Sequence, residues 1–576
     1  MAAPAAAQSD KDLASIAQAR ELARRARQAQ AVLAEFSQEK IDAIVDAMAA
    51  GVTPHAEALA RLAVEETGYG NVPDKIQKNL FGSKDVYEFI RPMKTVGVVN
   101  RIESKKIIEI AEPFGVVAAI VPSTNPTSTA IYKILISIKA RCAIVISPHP
   151  SAARCITRVA EIMDEAACRA GLPAGAIGWM TAVTLEGTQE LMKAREVAVI
   201  LATGGMGLVR AAYSAGKPAY GVGPGNAPCY IEQSADLAKA AADILAGKCF
   251  DNGVLCSSPN SVVVDRSVEP ETRRQFQSQG AHFLSTAETD LLTKALITPQ
   301  RLPNPALVGK SAKYIAEKVG IRIPEGTRAL IVELKGVGRD HPLSIEKLCP
   351  VLSYYIVNDW REGCERCKEI LRYGGMGHTM SIHSQNDQVI LEFGLHKPAY
   401  RICVNTPATL GAIGYTTDLD PSMTLGCGGF GGNITSDNIS PKHLLNIKRV
   451  AYETKPFTRA GGAGRAVGAG SSASVLPQAP AKPAPEPIEA ASLTRRIDAF
   501  LASRGLSKPS AQSNPPAPPA LPAQPAQPAA FVCEDDVRNA VKHGEKILVG
   551  EKTIITPAAR DAGEAAKVFT WQTWPS

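Results

Sequence analysis

No apolar run in the 576-residue chain approaches the length of a membrane span, and the N-terminal MAAPAAAQSDKD has neither a positive n-region nor a leucine-rich h-region. A soluble protein without a secretory leader is therefore expected. Basic runs interleaved with aromatics are also missing, and a net charge of +7 is small for this length, so nucleic acid binding has little support. The twelve cysteines are scattered with no paired framework, which points to reduced thiols in a cytoplasmic setting. Cys364 and Cys367 make the one C-x-x-C; with no second pair nearby they read as helix-face packing rather than zinc ligation, and no metal is expected.

What is present suits two or three domains with attachments, at an ordinary hydrophobic fraction of 45%. Organisation centres on FDNGVLCSSPNSVVVD, residues 250–265. Cys256 follows a flexible Asp251-Asn252-Gly253 turn and precedes Ser257 and Ser258, while Ser261 to Val264 reads as a buried strand. Backbone N–H groups of such a turn are expected to favour thiolate, the nucleophilic form. Taken alone, a cysteine is more often a small buried hydrophobe.

Helical spacing places Leu13, Ile16 and Ala17 on one face of a first helix, and Ile41, Ile44, Val45 and Met48 on one face of a later one. Residues 94–110 alternate like an edge hairpin. A strand at Val116 to Val121, an amphipathic helix carrying Ile131, Ile134, Leu135 and Ile138, and a strand from Ala143 to Ile146 make a βαβ unit, hence a parallel sheet. Ligands on such sheets sit beyond the carboxyl ends of strands, which marks Ser123, Thr124, Asn125, Ser147 and His149. The pattern repeats with helices near 157–170 and 188–194 and strands at 177–180 and 197–201. Thr203, Gly204 and Gly205 then open a helix whose free N–H groups suit a phosphate. Residues 217–232 read as a strand with a glycine-rich bend at Gly223, where backbone can approach a ligand closely. A formal G-x-G-x-x-G at Gly426, Gly428 and Gly431 lacks the opening strand and the acidic partner, and reads as coincidence. His378 lies in a glycine turn between a helix and a short strand, where a structural and a functional role both stay open.

Past residue 455 the composition shifts. Residues 456–487 and 507–530 are too rich in Ala, Pro, Gly and Ser to offset ordering entropy, and read as disordered linkers. Between them, residues 488–506 carry Ser492 as an N-cap, Leu493, Ile497, Phe500 and Leu501 on one stripe, and Gly505 as a stop. A helix this short needs a groove to fold on: a partner's, or its own globular body's. The last segment, 531–576, holds a helix with Val537 and Val541 and a strand-like ILVG and TIIT pair.

Seven stretches in order, VPSTNPTSTAIYK, ILATGGMGLVRAAYSAGKPAYGVGPGNAP, FDNGVLCSS, EKLCPVL, GGMGHT, NTPATLGAIG and TLGCGGFGGNITSDNISPKHL, resemble the CoA-acylating aldehyde dehydrogenases, over residues 10–450. The resemblance implies an α/β fold with a Rossmann-type cofactor domain (1–235), an α/β catalytic domain (236–400), and a return and β oligomerisation extension (401–455) in a homo-oligomer. It implies a monofunctional enzyme, because no iron-dependent alcohol dehydrogenase region follows. By position, Cys256 is similar to the nucleophile that gives a thiohemiacetal and then, with NAD+, a thioester. His378 falls on the motif of the acid or base for the CoA step, Glu346 on the carboxylate that grips the nicotinamide ribose, and Thr124 or Asn125 on the oxyanion donor. Thr203, Gly204, Gly205 and Gly223 fall at the cofactor, with Ser123, Ser147 and His149 beside them.

One departure bears on mechanism. Hydrolytic relatives carry a glutamate where this chain has Val222. Water, with a pKa of roughly 15.7, needs a base or metal to attack a thioester, whereas a thiol near ~8.5 needs far less help. The acyl group is therefore expected to leave on CoA, with a hydrolytic dehydrogenase as the rival. Ser147 and Pro150 stand where those relatives hold the adenosine ribose, so NADP stays open beside NAD. The helix at 488–506 resembles the encapsulation peptides that carry enzymes into bacterial microcompartments, which implies shell proteins as partners, or even a scaffold as the main role. The aldehyde itself, acetaldehyde, propionaldehyde or longer, is not legible.

Overall fold

The computed structural model describes residues 5–455, 457, 529, 531–550 and 553–571, which belong to two compact units, Met1–Arg459 and Ala460–Ser576. In the first unit, β1 (Gly97–Ile102) and β2 (Ile107–Pro113) form the hairpin expected over 94–110, and a strand at Leu445–Ala451 pairs antiparallel with β2 to complete a three-stranded sheet.

The second sheet is all parallel: β3 (Val116–Val121), β4 (Ala143–Pro148), β5 (Ile177–Trp179), β6 (Val197–Thr203) and β7 (Ala219–Val222), in the order β5-β4-β3-β6-β7. Its strands read as continuous apolar runs because helices cover both faces: every residue of β3 and β4 is buried. The strand order reverses at β3, whose neighbours β4 and β6 lie on opposite sides. That opens a crevice past its carboxyl end.

The third sheet takes β8 (Ala227–Ile231), β9 (Pro259–Asp265), β10 (Ala281–Phe283), β11 (Ala329–Glu333), β12 (Val351–Val357), β13 (Gly377–His383) and β14 (Ala399–Val404), all parallel in the order β10-β11-β12-β9-β8-β13-β14.

Four expectations need correction. The bent strand at 217–232 is two strands in different sheets, and residues 223–226 carry the chain from one sheet to the other; Gly223-Pro224-Gly225 cannot sustain a ladder. In the first helix, Ala5–Leu33, Leu13 is 61% exposed and the packing face is Ser15, Ala19, Ala23 and Ala26. Small residues are needed there, since a side chain on Gly187 of the facing helix would meet Ser15 Oγ at 1.9 Å. The helix Pro126–Lys139 is not amphipathic but buried all round, Lys133 and Lys139 included. Cys364 and Cys367 do sit on the buried side of the helix Trp360–Gly374.

The fourth correction concerns the second unit. ILVG and TIIT do not pair with each other. Phe531–Val532, the helix Glu534–His543 and Ile547–Val549 form one strand–helix–strand; Ile554–Ile555, Pro557–Ala565 and Phe569–Trp571 form another. First strand pairs with first and second with second, each parallel, so the segment is built of two structurally similar halves. Val537 joins its small core with Val532, Ala559 and Val568, whereas Val541 is exposed. The amphipathic stretch 488–506 lies outside the described residues. Among those described, no helix is long and apolar enough to cross a membrane.

Candidate active site

A cavity of about 480 Å3 opens where the β3 crevice was expected. The carboxyl ends of β3, β4, β6 and β7 contribute Val121, Ser147, Thr203 and Val222. Eleven of the twelve residues expected at a site line this one cavity: Ser123, Thr124, Asn125, Ser147, His149, Thr203, Gly204, Gly205, Gly223, Cys256 and Glu346. His378 does not. It is the second residue of β13, fully buried, and its ring lies behind the crossover, 3.2 Å from where a side chain on Gly225 would begin.

Cys256 stands in the loop between the turn at Phe250–Gly253 and β9, partly exposed into the cavity. Its expected electrostatics are reversed. Burial, followed by the nearby charge of Glu346, pushes the thiol up to about 12, against smaller downward pulls from Arg401 and the loop backbone. The resting side chain is a thiol, not a thiolate. Arg401 is a buried cation that donates to Asn438 Oδ1 at 2.7 Å and to the His378 carbonyl at 3.0 Å.

Among the described residues, Glu346 is the one carboxylate lining the cavity. Gly225 N–H donates to its Oε1 at 3.0 Å, and burial raises it to about 8. Sequence reasoning gave it only a ribose contact; its place beside Cys256 is new. His378 is held neutral, lowered to about 3 by burial and then by Arg401. Its Nδ1 lies 3.0 Å from Thr379 Oγ1, while Nε2 is buried without a partner.

The side of the cavity at the ends of β4 and β6 carries open hydrogen-bonding groups. Ser147 Oγ is 2.8 Å from Thr188 Oγ1, Thr203 Oγ1 is buried and unpartnered, and the helix Met206–Tyr213 starts with no side-chain cap on its N–H groups. Val222 is buried at the cavity wall, where a side chain without titratable atoms offers water no base. Lys133 was missed by sequence reasoning. It donates to the carbonyls of Ile120 and Leu201 at 2.8 and 2.9 Å, with burial lowering it to about 7. Nothing in the sequence pattern set it apart, since the same helix carries Lys139 and several Ser and Thr residues.

With this geometry in hand, comparisons with known proteins converge. The family model described as Aldehyde dehydrogenase family matches residues 6–299. The bifunctional aldehyde-alcohol dehydrogenase of Escherichia coli (strain K12) is 42% identical over 442 residues, 76% of this chain but 50% of the relative, so the chain spans about half the length of that protein. The crystal structure of an acetylating aldehyde dehydrogenase from Geobacillus thermoglucosidasius superposes with a TM-score of 0.77 at 49% identity, covering 78% of this chain and 99% of the other. A propionaldehyde dehydrogenase from the Clostridium phytofermentans fucose utilisation bacterial microcompartment gives 0.68 at 28% identity, covering 76% and 98%. Matched over half its length by the family model and across nearly the whole of an acetylating relative, this chain belongs to the aldehyde dehydrogenase family.

Proposed function

We propose that the protein oxidises a short-chain aldehyde to an acyl-CoA with a nicotinamide cofactor, NAD or NADP, and that Cys256 carries the acyl group. The carrying observation is Val222 at the wall of the cavity that Cys256 shares, in the place of the hydrolytic glutamate. Cys256 Sγ, its proton lost to solvent, adds to the aldehyde carbon as the C=O π pair moves onto oxygen, and a donor from the Thr124–Asn125 loop meets the resulting oxyanion. A nicotinamide cofactor, when bound, would supply the acceptor for the hydride. Thr203, the N–H groups after Gly204 and Gly205, and Glu346 hold the cofactor, with Ser123, Ser147, His149 and Gly223 around it. The thiolate of CoA then attacks the thioester carbon, the C–S bond to Cys256 breaks, and its electron pair returns to Cys256 Sγ. His378, which the resemblance makes the acid or base of this step, is fully buried with Nε2 unpartnered; lowered to about 3, it can serve the CoA sulfur as a neutral hydrogen-bond partner, while the thiol proton passes to solvent.

A second reading is favoured by Glu346. A carboxylate near 8 in the same cavity is chemically able to deprotonate water, which would make the enzyme hydrolytic. The hydrogen bond from Gly225 and the role in holding ribose argue against it. One assay separates the two: NADH formation from aldehydes of increasing chain length, with and without CoA. Dependence on CoA is expected, and C256A should abolish it; sustained turnover without CoA sinks the acylating reading.

The acetylating relative and the microcompartment neighbour support this placement, as does the likeness of 488–506 to encapsulation peptides. We place the enzyme in the cytoplasm as microcompartment cargo, bound to shell proteins through that stretch rather than serving chiefly as a scaffold. It works as a homo-oligomer joined through the sheet of β1, β2 and Leu445–Ala451, whose outer strands are largely exposed.

A further inference from the structure

We infer that Lys78 is a positioning residue: by binding the amide oxygen of Asn125 it leaves the Nδ2 end of that side chain as the donor for the oxygen of the Cys256 adduct. The inference rests on the aldehyde-oxidising reading above, and it chooses Asn125 over Thr124.

The helix Val72–Leu80 sets Lys75 and Lys78 on one face, one turn apart, and both are essentially without solvent contact. One carboxylate serves the two ammonium groups. Lys75 Nζ donates to Asp251 Oδ2 at 2.9 Å and to the Thr124 carbonyl at 3.2 Å. Lys78 Nζ donates to the same Oδ2 and, at 2.6 Å, to Asn125 Oδ1. An ammonium can only donate, so it accepts one orientation of the amide and rejects the flipped one. The Nδ2 end then has a single long contact, 3.3 Å to Thr124 Oγ1, and keeps a second N–H for the cavity that Asn125 lines with Cys256.

The other half of the cluster holds the loop that leads to Cys256. Asp251, Asn252 and Gly253 have φ of 46°, 54° and 75°, three left-handed residues in succession, two of them with side chains. Such backbone persists only where its surroundings over-determine it. Here Asn71 N–H donates to Asp251 Oδ1 at 2.8 Å, Asp251 N–H donates to Asp74 Oδ2 at 2.6 Å, and Asn252 Nδ2 donates to the Gly309 carbonyl at 2.9 Å. One short helix therefore fixes the nucleophile's loop and the oxyanion loop relative to each other. Burying two lysines for one aspartate is costly, and an apolar residue at 78 would fill the space without orienting the amide. Desolvation lowers Lys78 to about 7 against the pull of Asp251, so the ammonium form that orients the amide is the one present below that pH.

The test is steady-state NADH formation by the full-length protein with a short aldehyde and CoA, comparing wild type with N125A, K78M, K75M and the double variant K78M/N125A. Loss of an oxyanion donor should lower kcat roughly 10²-fold in N125A. K78M should lower kcat roughly tenfold or more with the aldehyde KM within about threefold, and should add nothing in the N125A background. K75M, which weakens Asp251 but spares the Asn125 amide, should cost less kcat than K78M. Multiplying effects of K78M and N125A, equal losses in K75M and K78M, or a change confined to KM overturns the inference. Should K78M fail to fold, Lys78→Gln carries the test in the opposite sense: its amide nitrogen can donate to the same oxygen, so kcat should stay within about threefold of wild type, and a tenfold loss there overturns the inference. A wild-type chain with no aldehyde-dependent NADH formation overturns the reading beneath it; an active wild type with uncoupled variants overturns the clamp alone.

Discussion

At the level of single residues, the thiol of Cys256 is the point where local and tertiary physics disagree. A polar turn with exposed N–H groups argues for thiolate, and the backbone of this loop does pull the thiol downward. Burial and the charge of Glu346 outweigh it and leave the group near 12. At pH 7 the thiol form therefore dominates, and the thiolate fraction grows as pH rises. Alkylation of Cys256 by iodoacetamide in the cofactor-free protein, followed by mass spectrometry, should therefore be slow at pH 7 and climb through pH 9 with no plateau. Glu346→Gln should accelerate it at pH 9 and leave it unchanged at pH 7. The sign follows because Glu346, raised to about 8, is charged and repels the thiolate only above that pH. A plateau near pH 8, or equal acceleration at both pH values, would show that Glu346 does not set this thiol. None of this was legible in FDNGVLCSS, because a residue's electrostatic neighbours are chosen by the fold and the carboxylate in question lies on another strand connection. The cysteine and the residues around the cavity were legible, since glycine turns and strand ends announce themselves locally. Lys75, Lys78 and Lys133 were not, because helical spacing tells which face turns inward only when that face is apolar.

Among the elements, the crossover between the two parallel sheets is the most constrained. Reading 217–232 as one bent strand found the glycines but not their purpose, since periodicity carries no sign that a chain leaves one sheet for another. In the structure, Gly225 is wedged between three site groups: its N–H holds Glu346, and an added Cβ would lie 2.0 Å from the Cys256 carbonyl oxygen and 3.2 Å from the His378 ring. The nearest of these is backbone, which cannot rotate aside. Gly225→Ala should therefore displace the nucleophile loop and lower kcat by roughly 10²-fold, the size of effect that a displacement of about 1 Å produces at a reacting centre. Thermal stability should fall as well, because the collision is internal. Activity within twofold of wild type would mean that the crossover yields and does not fix the site. The β3 βαβ unit, by contrast, was legible almost to the residue, because a buried parallel strand leaves an uninterrupted apolar run between polar turns.

For the molecule as a whole, the residues lining the cavity run from Ile120 to Leu348, and His378 and Arg401 complete their surroundings. All belong to the first compact unit, Met1–Arg459. The described part of the second unit has a core of only a few side chains, Val532, Val537, Ala559 and Val568 among them, and contributes none to the cavity. A chain ending at residue 459 should then keep kcat and KM within about twofold of the full-length enzyme, and its main thermal transition should be preserved. The same truncation, or removal of residues 488–506 alone, should abolish co-purification with microcompartment shell proteins if that stretch docks on the shell. The two readouts separate the roles. Loss of activity on truncation would mean that the tail completes the catalytic body, whereas retained activity with retained shell association would move the docking surface onto the first unit. Full activity together with lost association makes the chain two functions in series, an aldehyde-oxidising body and an address, as the change in composition past residue 455 implies.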